Sequence, residues 1–119
     1  MTKKDLECLE WGDEILQREN LQLPTRDSGN WVIVWGEGGP CEGITLFDSR
    51  TIRIHWPAGE PDYPLLLHEI AHAVKGKSGH DSEFAHIYMR LVREYFVAAV
   101  LVDGMQVAMR NGEKCYDAT

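Results

Sequence analysis

No uninterrupted apolar run in these 119 residues approaches the roughly 20 needed to span a bilayer. Basic residues are few: 12 Lys+Arg stand against 19 Asp+Glu, a formal net charge of −7. No basic cluster is longer than Lys3-Lys4. A chain this acidic is not expected to grip nucleic acid or an anionic membrane, since both draw on positive charge. Cysteine is sparse. Cys8, Cys41 and Cys115 are scattered and form no C-x-x-C pair, which excludes a local zinc ribbon or redox motif. Reduced thiols in a reducing compartment are the expectation, with Cys115 as a metal ligand the alternative. There is no internal repeat and no low-complexity tract. Met1-Thr2-Lys3-Lys4-Asp5 leads into a charged, helix-like stretch and not into an apolar signal core, so a soluble, cytoplasmic protein is expected.

What is present suffices for one domain spanning 1–119. The apolar fraction is 44% and the aromatic fraction 9%, enough to bury a single core. Residues 3–19 read as a helix, with Thr2 and Asp5 in an N-capping arrangement and Cys8, Leu9, Trp11, Ile15 and Leu16 on one broad side. Pro24 and the run Asp27-Ser28-Gly29-Asn30 are turn chemistry.

Three strands follow. Trp31–Trp35 is continuously apolar and reads as central, buried on both faces. Gly43–Phe47 is the second. Asp48-Ser49-Arg50 turns the chain into Thr51–Trp56, which alternates with Ile52, Ile54 and Trp56 on one face. Together they predict a small antiparallel meander. A helix then starts near Pro64 and stops at Gly76 and Gly79. Asp81 or Ser82 caps a long final helix to about residue 102, ended by Asp103-Gly104. Residues 105–119 carry no clear pattern.

The stretch that carries chemistry is His68-Glu69-Ile70-Ala71-His72. Residues i and i+4 sit one helical turn apart, about 5–6 Å between Cβ atoms. Two imidazoles so placed reach one zinc ion at about 2.0–2.1 Å. Glu69 lies about 100° round the helix from His68, able to serve a metal-bound water without taking a ligand position. On the same wheel Leu66, Leu67, Ile70, Ala71 and Val74 face the opposite way, which predicts a cleft-lining polar face backed by a core face.

A catalytic zinc wants a third protein ligand. His80 is the leading candidate, because Gly76 and Gly79 let the chain fold back between His72 and the next helix. His86 should face solvent, with Glu83 on that side. Glu94 flanks the final helix as a poorer carboxylate ligand, and Asp81 is more useful as a cap. His55, on the polar face of the third strand, reads first as a surface strand residue, with a place at the border of the cleft as the alternative.

Leu66–Val74 followed by Gly79-His80-Asp81-Ser82-Glu83-Phe84 resembles the zincin metallopeptidases, and among them the small SprT-like and minimal-zincin proteins. The resemblance covers about residues 64–96 by motif. It implies an α+β, zincin-like domain: an N-terminal helix, a three- to four-stranded antiparallel sheet, the H-E-x-x-H helix and a long C-terminal helix. It implies zinc held by His68, His72 and His80, with Glu69 as catalytic base and Phe84 as the aromatic that follows the third ligand. SprT-like proteins often carry a zinc ribbon or a basic DNA-binding region, which this chain lacks, so a DNA-repair role is not expected. Metzincins place their third histidine two residues earlier than His80, which sets that class aside.

The expected activity is peptide-bond hydrolysis, with zinc polarising the carbonyl and Glu69 moving the proton. The third strand, taken as the edge nearest the cleft, would hold an extended peptide or protein substrate. Tyr88, Tyr95 and His55 are possible oxyanion donors. The alternatives are a non-proteolytic zinc-binding interaction module and a zinc hydrolase acting on a non-peptide amide. Oligomeric state is not encoded in these patterns.

Overall fold

Thr2 starts α1 (Lys3–Arg18). Its hydroxyl accepts from the Asp5 N–H at 3.2 Å, and its own N–H donates to Asp5 Oδ2 at 2.8 Å, the reciprocal cap expected. The buried Asp5 carboxylate also accepts from the Trp56 indole at 2.6 Å and from the Gly59 N–H at 3.0 Å. Burial pushes this carboxyl up, but the hydrogen bonds from Thr2, Trp56 and Gly59 outweigh it and hold the group below the usual carboxylate range. Cys8, Ile15 and Leu16 are buried, with Leu9 and Trp11 packed on the core's margin, as the helical period predicts. Cys8 is a free thiol whose ionisation burial pushes up, so it acts as inert filling.

The structure, a computed structural model, describes residues 1–36 and 42–97. Cys41, Cys115 and the expected end of the final helix at 98–104 lie outside the described residues.

The sheet corrects the sequence reading. Its strands are β1 (Val32–Trp35), β2 (Gly43–Leu46) and β3 (Thr51–Ile54), in the order β1-β3-β2. β2 and β3 form an antiparallel hairpin, but β1 runs parallel to β3, so the sheet is mixed and not a meander. Among the described residues the strand expected at the centre is at an edge. Val32 and Val34 are 42% and 39% exposed, while Ile33 and Trp35 pack against the core. An unbroken apolar run reads alike whether both faces are covered or the outer one merely carries valines. β3 takes the centre, with Ile52 and Ile54 buried as their alternation predicts.

α2 (Tyr63–Lys75) begins where Asp62 accepts from the Leu65 N–H at 3.1 Å and Pro64 fills the first turn. It ends where Gly76 takes a left-handed φ of 89°. Every residue from Pro64 to Ala73 is buried, because α2 packs against α1, α3, β2 and β3. The polar triplet therefore does not form an open cleft wall. It is enclosed, with Glu69 against β2 and the histidines against α3.

α3 (Ser82–Leu91) is capped by Asp81, whose Oδ1 accepts from the Phe84 N–H at 3.0 Å. The helical backbone then widens into a π turn at Val92–Phe96, so the final helix is not one uniform element. Glu19, just past α1, secures this turn by accepting from Arg90 at 2.7 Å and from the Tyr95 hydroxyl at 2.7 Å. Among the described residues no helix is long and apolar enough to cross a membrane. Helices and a three-stranded sheet thus share one core, with α2 at its middle.

Candidate metal centre

His68 and His72 are carried one turn apart on the most enclosed helix of the fold. His80 arrives from the reversal between α2 and α3. Its Nε2 lies 3.0 Å from His68 Nε2 and 3.1 Å from His72 Nε2. The three donors form a group close enough to hold a metal ion. Zn–N bonds of about 2.0–2.1 Å at tetrahedral angles put ligand nitrogens about 3.3–3.4 Å apart, close to the separations of His80 from its two partners. Neutral imidazole suits zinc, and the donor set fits that metal. His68 and His72 are buried while His80 is exposed, so the cluster reaches the surface on the His80 side.

Phe84 sits among the three rings. It stacks on His72 with centroids 4.3 Å apart and meets His68 and His80 edge-on, each at 4.9 Å. The Asp81 cap fixes the first turn of α3 and so sets where this ring stands. Packing against an aromatic face restricts the imidazole torsions before any ion binds.

Glu69 turns to the sheet. Its carboxylate is fully buried, and Oε1 accepts from Thr45 Oγ1 at 2.7 Å. Gly43, on the same face of β2, makes room for it: a Cβ there would lie 3.1 Å from Glu69 Cγ and 3.2 Å from Oε2. Neither Thr45 nor Gly43 was marked by sequence reasoning. A signal was available, because the inward face of β2 is Gly43 and Thr45 while the outward face is Ile44 and Leu46. A strand that turns its small and polar residues inward is making space for something polar.

Of the other residues weighed for the site, none joins the histidine group among the described residues, and His86 faces solvent as expected. His55 packs against the Trp35 ring, centroids 5.2 Å apart, and is not part of the histidine group. Tyr95 commits its hydroxyl proton to Glu19 at 2.7 Å, and burial followed by that carboxylate pushes its phenol up to about 12. Glu94 pairs with Arg90 at 3.4 Å. His86 is exposed and its Nδ1–H donates to Ser82 O at 2.7 Å. Tyr88, the remaining oxyanion candidate, has its ring 5.8 Å from that of His68.

No family model, curated protein or solved structure matches this chain.

Proposed function

We propose that the chain is a zincin-like, zinc-dependent peptidase domain, with His68, His72 and His80 as ligands, Glu69 as general base and an extended peptide or protein segment as substrate. One observation carries the reading: three histidine donors gather around His80, and the helix that carries two of them also carries, next in sequence to His68, a buried carboxylate held by a hydrogen bond. A structural zinc closes its shell with a fourth protein ligand, and among the described residues the group holds three. That favours hydrolysis over a binding module.

Bound zinc supplies Lewis-acid polarisation and a nucleophile at neutral pH. Glu69 takes the proton from the attacking water and passes it to the leaving amine. Thr45 serves both charge states of that base. Its hydroxyl donates to Oε1 while Glu69 is ionised, and has the Glu69 carbonyl 3.1 Å away to turn to once the carboxyl is protonated. Substrate docking is assigned to β2 and not to β3, since among the described residues β3 is central and β2 is an edge strand lying against Glu69.

The deciding experiment is cleavage of unfolded casein by zinc-loaded protein. A chelator should abolish the activity and added zinc should restore it. Protein that holds zinc yet cleaves no unfolded substrate would transfer the site to the interaction-module reading. A second expectation concerns Thr45. Hydrogen bonds to charged groups contribute about 1.5–3 kcal/mol, so Thr45→Val should lower kcat by about tenfold or more with KM and zinc content little changed. Thr45→Ser should recover most of the rate. Equal turnover in the valine variant would remove Thr45 from the machinery.

A further inference from the structure

The reversal that delivers His80, residues 76–81, contains two glycines in left-handed conformation, Gly76 at φ 89° and Gly79 at φ 102°. Such a segment has unusual freedom in isolation. His80 must nevertheless meet two rings already fixed on α2. One side chain spans the turn. Lys75, the last residue of α2, has a side chain only 1% exposed, and its Nζ lies 3.2 Å from Ser78 O, 3.2 Å from Gly79 O and 2.9 Å from Asp81 Oδ1. These three acceptors match the three N–H donors of an ammonium. They also straddle the ligand, Gly79 preceding His80 and Asp81 following it. Asp81 in turn caps α3 through the Phe84 N–H, and Phe84 stacks on His72.

We propose that Lys75 is a positioning residue for the third metal ligand: its ammonium clamps the reversal on both sides of His80, so that zinc affinity depends on a side chain that touches no donor atom. The inference rests on reading the three histidines as a zinc site. It also runs against simple Coulomb expectation. A positive charge near a bound cation weakens binding, so deleting it would tighten zinc if charge alone mattered. Deleting the clamp frees the loop, and ordering it then counts against binding.

The test is the zinc dissociation constant, measured by competition with a chromophoric chelator, for wild type, Lys75→Met and Asp81→Asn. Asparagine keeps the helix cap while losing the carboxylate that pairs with Lys75. Charge alone predicts opposite signs for the two variants. The clamp predicts that both weaken zinc, Lys75→Met by about tenfold, at the lower end of the 10–100-fold cost of losing outer-shell partners, and Asp81→Asn by less. Should Lys75→Met fail to fold, as judged by melting of the metal-free protein, Lys75→Gln is measured under the same rule. Wild-type protein that holds no zinc would defeat the metal reading itself. Zinc-binding wild type beside a neutral Lys75 variant of equal or higher affinity would overturn the clamp alone.

Discussion

Glu69→Gln should keep its zinc and its fold while hydrolysis falls by about 10²–10⁴-fold, the usual worth of a positioned proton transfer. The substitution is nearly isosteric. The glutamine carbonyl oxygen still accepts from Thr45 Oγ1, now 2.7 Å from Oε1, and no heavy atom is added towards Gly43. What disappears is the basic oxygen that the proposed mechanism uses. The loss should fall on kcat, because the proton moves only on the way to the transition state. Metal content and peptidase activity must be read on one preparation. Turnover equal to wild type with full zinc would sink the mechanism.

His80→Ala should have the largest effect on metal binding. His80 is the exposed member of the triplet, so its removal leaves the core, and hence the metal-free protein, nearly as stable as before. Zinc at about a hundred times its dissociation constant stabilises the folded state by about 2.7 kcal/mol. Losing most of that should lower the melting temperature of the metal-loaded protein by on the order of 10 °C. His86→Ala, on an exposed face of α3 where its ring is bonded to Ser82 O, is the control and should melt as wild type does. The reverse pattern, zinc lost with His86 and kept without His80, would overturn the ligand assignment.

What could be read from the sequence follows a physical division. The signals at Thr2, Pro64, Gly76 and Asp81 act within a few residues of themselves, and the elements start and stop close to where those residues predict. The spacing of His68, Glu69 and His72 is likewise internal to one helix. The reversal to His80 is short enough for its two glycines to announce it. Strand pairing is different. Nothing local to Trp31–Trp35 says that it runs parallel to β3 at an edge, since that outcome depends on chain folded far from it. Thr45 and Glu69 lie 24 residues apart in sequence, and their contact arises only when β2 packs on α2. Lys75 was hidden for another reason: a lysine at a helix C-terminus is so common a partner for the dipole that its burial goes unannounced.

The burial of α2 on every side has an evolutionary consequence. Leu66, Leu67 and Ile70, which fill the middle of the molecule, share one rigid rod with both fixed histidines and the base. Side chains in a close-packed interior feel changes of even a methylene, so drift in core volume would reach the donor atoms directly. The helix is therefore poor ground for diversification. On the proposed reading, latitude to accept a new substrate lies instead in the residues that border His80, where the group reaches the surface and a substitution leaves the rod undisturbed.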